Sequence, residues 1–189
     1  MNTSRTISII ALFTSLVIVT NYALVELPNV KLEDTLVFAS AYSFGLKIGA
    51  YVAIASELIW GILSPYGFGG IIIPFLVAGE LLYVFAGFFA SKLWPKPQKG
   101  FQYENIFFGA LLAICAFVWD TETNIATGLI MMWPHVHLLG LIGYELTGAV
   151  FMVFHEVGDF VIGSALAPIL ILYFSRVFSD SKNAQRIVA

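Results

Sequence analysis

Charged side chains are scarce in this sequence. Lysine and arginine together number 9 and aspartate and glutamate 12, so only 11% of the residues are charged while 59% are hydrophobic. A soluble domain has about 25% charged residues, because it needs a polar surface around its core. The scarcity excludes a soluble enzyme. The net charge of −3 and the scattered basic residues also argue against a nucleic-acid partner.

Cysteine is nearly absent as well, and two signatures of self-powered transporters are missing. Cys115 is alone, so the chain cannot form an internal disulfide bond. No nucleotide-binding loop of the form G-x-x-x-x-G-K-[ST] occurs, and the sequence has no pair of similar halves. We therefore expect neither a cofactor nor an ATP-driven motor in this chain.

Long apolar runs make up most of the chain instead. A helix of about 20 residues spans the hydrocarbon of a bilayer, and glycine, proline and charged residues divide the sequence into runs of that order. The pattern predicts an all-α integral membrane protein, with one domain over 1–189 and six transmembrane helices at about 7–25, 35–45, 48–63, 71–94, 105–126 and 148–176.

The basic residues decide between six helices and seven, because the last apolar stretch, from Leu138 to Phe174, is long enough for two spans. Cytoplasmic loops carry an excess of lysine and arginine. With six helices and an inside N-terminus, Lys31 alone lies outside, whereas seven helices would also move Arg176 and later cations outside. We therefore predict cytoplasmic N- and C-termini and an outer loop, Gly128 to about Thr147, that dips back into the protein.

Acidic residues within and between the later apolar segments are the main functional signal. Isolated carboxylates are costly in hydrocarbon, so they should face a protein interior or a water-filled cavity. Only Lys31 offers a cation in the outer half, so internal ion pairs are not expected to neutralise them. Aromatic and imidazole side chains, which often surround ligands, fall on the same side. We predict an outward cavity among Glu57, Glu80, Asp120, Glu122, Glu145, Glu156 and Asp159, with Trp133, His135, His137, Tyr144 and His155.

These residues also have structural interpretations. Tryptophan and tyrosine commonly form a belt at the membrane interface, Glu80 could bond a neighbouring helix, and Asp120 or Asn124 could cap a broken helix end. His135-x-His137 with His155-Glu156 could bind a metal ion, although the spacing is not a recognised motif and we assign no metal ligand.

Four short segments, taken in order, resemble the substrate-binding S component of an energy-coupling factor (ECF) vitamin transporter. The first helix carries the small-residue pair of Ala11-Leu-Phe-Thr-Ser15, a spacing that lets another helix approach closely. The other segments are Pro28-Asn-Val-Lys-Leu32, Gly45-Leu-Lys-Ile-Gly49 and Pro74-Phe-Leu-Val-Ala-Gly-Glu80.

The resemblance implies a non-enzymatic capture subunit in a prokaryotic plasma membrane, in contact with lipid. It would bind a vitamin-like molecule in an outward cavity and topple against a transmembrane coupling protein, driven by two cytoplasmic ATPase subunits that use the ATP. Ala11 and Ser15 would contact the coupling protein. The implied pocket residues are Glu80, Trp133, His135, Tyr144 and Glu156, with Asp120, Asn124 and Asp159 behind them.

The two carboxylates of His155-Glu-Val-Gly-Asp159 depart from the neutral polar groups expected there. Carboxylates, imidazoles and aromatic walls suit a cationic heteroaromatic ring, such as thiamine or a precursor, held by charge pairing and cation–π contact. Three alternatives remain: an intramembrane metal-dependent enzyme that uses histidine and carboxylates, a self-contained proton-coupled transporter, and a purely structural subunit.

Overall fold

The fold is known from a computed structural model, which describes residues 3–94, 96–98, 100 and 102–187. Every regular element among these residues is helical, which confirms the predicted all-α class. The six α-helices are α1 (Thr3–Ala23), α2 (Glu33–Phe44), α3 (Leu46–Leu63), α4 (Ile73–Leu93), α5 (Tyr103–Met131) and α6 (Leu138–Ile187), and a 3₁₀ turn, Gly70–Ile72, leads into α4.

Five of the helical segments are long and apolar enough to cross a membrane. They are Thr3–Ala23, Leu46–Leu63, Gly70–Leu93, Asn105–Met131 and Leu138–Val177. The chain is therefore a multi-pass membrane protein. The remaining helix, α2, has 12 residues and rises about 18 Å, short of the roughly 30 Å hydrocarbon core. All six predicted helices exist, but the count of six spans stays a prediction.

The short helix α2 lies in the middle of the bundle. Its nine consecutive residues Glu33–Ala41 are all buried, whereas a helix at a protein surface buries one stripe. It packs against α1, α3, α4 and α6. Because α2 begins with Glu33 and Asp34, this packing carries two carboxylates into the interior.

Gly45 separates α2 from α3 and reverses the chain. Its φ of 91° is readily adopted by glycine and disfavoured by residues with a Cβ. After the turn, α3 runs back along α2 so closely that a Cβ on Gly49 would lie 2.6 Å from the Ala41 Cβ. The predicted break between the second and third helices, placed at Gly45 to Gly49, is confirmed and is confined to Gly45.

The predicted outer loop from Gly128 to about Thr147 is wrong. The α5 helix continues to Met131 and α6 begins at Leu138, so the connection is 132–137. Gly128 lies where the two helices are in close contact, since a Cβ there would be 3.0 Å from a Leu141 methyl group. Gly128 suggests a loop in the sequence, but in the structure it permits close packing of α5 against α6. The last apolar stretch is one continuous helix, which also removes the seven-helix alternative.

The connections 24–32, 64–69 and 132–137 lie at the same end of the bundle, which we call the upper end. The α1 and α3 helices run in the same direction, because Tyr22 and Trp60, each near the end of its helix, stack edge to face with ring centroids 5.4 Å apart. The hydroxyl of Tyr66 donates to the backbone oxygen of Val25 and so joins the first two connections.

Candidate functional site

A cavity of about 610 Å³ opens at the upper end, between the 24–32 connection and helices α3, α5 and α6. Trp60, Tyr66 and Trp119 supply aromatic surface. Polar and charged groups share the same walls, as is usual for small-molecule sites; they are Asn21, Glu26, Asn29, Lys31, Asp120, Thr123 and Asn124.

Asn29 holds the 24–32 connection against the cavity wall. Its Nδ2 atom donates to Asp120 Oδ1 and to the backbone oxygen of Phe151, each at 3.3 Å. The residue has a φ of 52°, a left-handed conformation that asparagine tolerates better than most residues. The connection is therefore fastened to both α5 and α6, the helices that form the opposite wall.

Lys31 extends from the same connection toward the interior. Its Nζ atom lies 4.8 Å from the centroid of the Trp119 ring, a cation–π contact. Burial alone would lower the pKa of the Lys31 ammonium, but the carboxylates of Glu57, Glu33 and Asp34 outweigh burial and raise this pKa above its ordinary value. Lys31 is therefore a permanent positive charge between the cavity and the acidic side chains beneath it.

The acidic cluster is a set of five buried carboxylates beneath the cavity. Glu33 accepts a hydrogen bond of 2.6 Å from Asn21 Nδ2, which joins the end of α1 to the start of α2. Several other carboxylate oxygens have no hydrogen-bond partner among the described residues, including both of Glu57. The members, each no more than 1% exposed, are Glu33, Asp34, Glu57, Glu80 and Asp159.

His155 lies between two carboxylates from different helices. Its Nδ1 atom is 3.0 Å from Asp120 Oδ2, and its Nε2 atom is 3.4 Å from Asp34 Oδ2. An imidazole can donate at both nitrogens when it is protonated. Asp120, one of the acids expected to have no internal ion-pair partner, therefore has a hydrogen-bonding partner in His155, which also contacts Asp34.

The predicted pocket residues occupy three different places. Asp120 and Asn124 line the cavity. Glu80 and Asp159 belong to the acidic cluster beneath it. The other four are absent from the described lining: Trp133, 79% exposed, and His135 lie in the 132–137 connection, and Tyr144 and Glu156 are half-buried on α6. Their role as ligand contacts stays a prediction.

The first two connections and helices α1, α3 and α5 supply lining residues that sequence reasoning missed. A signal was available, because 26–31 is a rare polar stretch between two apolar helices. The acids Glu33 and Asp34 were missed too, since they precede an apolar run and look like a polar boundary. The missed lining residues include Asn21, Asn29, Lys31, Trp60, Tyr66 and Trp119.

The metal site considered from His135, His137, His155 and Glu156 does not form. Leu138 and His155 are 17 residues apart on α6, which places them about 26 Å apart along the helix. His155 is buried while His135 and His137 are exposed. In the described part of the chain, possible metal donors gather instead at Asp34, His155 and Asp159.

Ala11 and Ser15 lie one turn apart on an exposed face of α1, while Phe13, Thr14 and Val17 turn toward the core. This face is free to meet a second membrane helix.

No protein-family model, curated protein or solved structure matches the chain.

Proposed function

We propose that the chain is the substrate-capturing membrane subunit of an ECF-type importer in a prokaryotic plasma membrane. The observation that carries the proposal is the cavity of about 610 Å³ at one end of a membrane bundle. Its size lies in the range of small-molecule sites, about 300–1,000 Å³. It binds a nutrient of vitamin size and performs no chemical step.

Delivery depends on partner subunits in this proposal. The exposed face at Ala11 and Ser15 offers a place where a transmembrane coupling protein packs closely, because small side chains let helix backbones approach. Two cytoplasmic ATPase subunits supply the energy, and toppling of this subunit against the coupling protein releases the ligand. The ATP is used by these partner subunits and not by this chain.

A cationic heteroaromatic ligand, of the kind represented by thiamine or a precursor, suits the walls best. Lys31 already occupies one face of Trp119, so Trp60 and Tyr66 are the aromatic surfaces left for a ring. Asp120 contributes a carboxylate to the wall and can pair with a positive charge.

Binding can be tested by titrating the purified protein and following tryptophan fluorescence, since Trp60 and Trp119 line the cavity. We expect thiamine or a precursor to change the signal, and neutral and anionic vitamins to leave it unchanged. Asp120→Asn should weaken binding at least tenfold, whereas Glu122→Gln, at a half-buried position outside the described lining, should not. Tight binding of an anionic vitamin alone would refute this ligand class.

Transport separates the proposal from a proton-coupled transporter, which the buried carboxylates and His155 would also suit. Uptake is measured in cells that lack coupling subunits and in cells supplied with a coupling protein and its ATPases. We expect uptake only in the second case. If the chain alone takes up the ligand and dissipating the proton gradient abolishes this uptake, the protein is a proton-coupled transporter.

A further inference from the structure

Three possible metal ligands meet beneath the cavity, in the centre of the bundle. Asp34 is in the first turn of α2, and His155 and Asp159 are four residues apart on α6 and so share one face of that helix. One donor atom from each lies within 4.8 Å of the others, and each residue is 1% exposed.

The buried carboxylate of Asp159 is the group among these three side chains that most requires a compensating partner. Both of its carboxylate oxygens are buried, and among the described residues the hydroxyl of Tyr83, itself buried, is the donor that acts on this carboxylate, without reaching full hydrogen-bond geometry. A buried carboxylate is costly unless a proton, a cation or hydrogen-bond donors compensate it. One of its oxygens is among the atoms grouped with Asp34 and His155, so this oxygen borders the space that the three residues enclose.

The orientation of His155 matches that of a metal ligand. Histidines that bind metals usually donate the other ring N–H to a carboxylate, which fixes the ring and makes the free nitrogen more basic. Asp120 Oδ2 lies 3.0 Å from Nδ1 and can accept this hydrogen bond. Nε2 then faces Asp34 Oδ2 at 3.4 Å, about the separation of two donors in a tetrahedral shell with bonds of about 2.1 Å.

Acidic side chains outnumber basic side chains around the three residues. Glu33, Glu57 and Glu80 are also buried, and Lys31 acts on all three through its charge. Together with Asp34, Asp120 and Asp159 they outnumber Lys31 and His155, the cations described among them. A divalent ion would compensate the two carboxylates that bind it without protonating them, and it would contact one of the Asp159 oxygens.

We propose that Asp34, His155 and Asp159 bind one divalent transition-metal ion, with Asp120 orienting His155. One imidazole and two carboxylates suit Mn²⁺, Fe²⁺, Co²⁺, Ni²⁺ or Zn²⁺ better than Mg²⁺ or Ca²⁺, which prefer oxygen ligands alone. The ion joins the first turn of α2 to α6. The site does not depend on the identity or transport of the cavity ligand.

The first experiment uses Co²⁺ as the probe. The purified full-length chain is stripped with a chelator, dialysed against Co²⁺ and measured by elemental mass spectrometry and visible absorption. We expect about one tightly bound ion per chain, with d–d bands that disappear when Zn²⁺ displaces Co²⁺. A folded wild-type protein that retains no stoichiometric Co²⁺, Zn²⁺ or Mn²⁺ would overturn the proposal. His155 would then be an imidazolium shared by two aspartates.

Substitutions test which residues bind the ion. Asp159→Asn preserves size and removes one anionic ligand, so we expect Co²⁺ affinity to fall at least tenfold while Glu122→Gln leaves it unchanged. Unchanged affinity in folded Asp159→Asn would contradict the assignment. The double variant His135→Ala/His137→Ala removes exposed imidazoles and should retain the ion, and loss of the ion there would place binding at the surface. If Asp159→Asn does not fold, the wild-type and double-variant measurements still show whether the chain binds an ion away from the exposed histidines.

Discussion

The side chain of Asn29 is expected to control how often the 24–32 connection opens above the cavity. It makes two hydrogen bonds of 3.3 Å, to Asp120 on α5 and to the backbone of Phe151 on α6. A hydrogen bond of this kind contributes about 0.5–1.5 kcal/mol net. Both bonds are long, so we take the lower part of the range, about 1–2 kcal/mol for the pair. Losing them should raise the open fraction about 5- to 30-fold.

The substitution Asn29→Asp isolates this effect. Aspartate has nearly the same size and tolerates the left-handed backbone of this position, but an ionised carboxylate cannot donate a hydrogen bond. It also adds a negative charge beside Asp120, so the estimate from the lost bonds is a lower bound. Gln98→Ala, at an exposed position in the connection between α4 and α5, is the matched control.

Hydrogen–deuterium exchange followed by mass spectrometry reads the opening directly. When closing is fast, the exchange rate of the amides in 24–32 is proportional to the open fraction. We expect those amides to exchange at least about fivefold faster in Asn29→Asp, with α3 amides unchanged and Gln98→Ala like the wild type. Wild-type exchange rates across 24–32 in Asn29→Asp would refute the role given to this side chain.

Three further predictions concern packing, charge and coupling. Gly79→Val should lower the melting temperature and shift the tryptophan emission, because a Cβ on Gly79 would overlap the indole of Trp119; unchanged emission would contradict this packing. Lys31→Met should lower the melting temperature at both pH 7 and pH 9. The raised pKa of Lys31 keeps its contribution fully present below the ordinary value of 10.5 and removes it only as the pH passes the folded pKa. A loss of melting temperature at only one of these pH values would contradict the raised pKa of Lys31. Ala11→Trp or Ser15→Trp should abolish uptake and leave ligand affinity unchanged, since both residues lie on an exposed face away from the cavity; normal uptake in both would remove the coupling role of α1.

The helix order could be predicted because it depends on local signals. Apolar runs and the break at Gly45 identified the helices up to α4 to within a few residues. The α5–α6 hairpin could not be predicted in the same way, since Gly128 and Gly148 are equally compatible with a loop and with two helices in close contact. The structure shows two helices in close contact, since a Cβ on Gly148 would overlap the side chain of Asn124.

The presence of buried carboxylates could be predicted from their positions in apolar runs, but their partners could not. Asp34 and His155 are 121 residues apart in sequence, and they meet only because the short helix α2 lies at the centre of the bundle. Lys31 was predicted to lie in an outer loop, and nothing local shows that its side chain reaches the acidic cluster. Such pairings arise from tertiary packing, which helical periodicity does not encode.

The most direct test of the central claim is identification of the small molecule that copurifies with the chain. The protein is purified from its natural host in mild detergent and extracted with organic solvent. The extract is analysed by mass spectrometry alongside Gly148→Phe, whose side chain displaces that of Asn124 in the cavity wall. We predict a cationic heteroaromatic compound at about one molecule per chain, absent from folded Gly148→Phe. Only lipid and detergent in both samples, together with no tryptophan response to thiamine, its precursors or other vitamins, would contradict the assignment of this protein as a capture subunit.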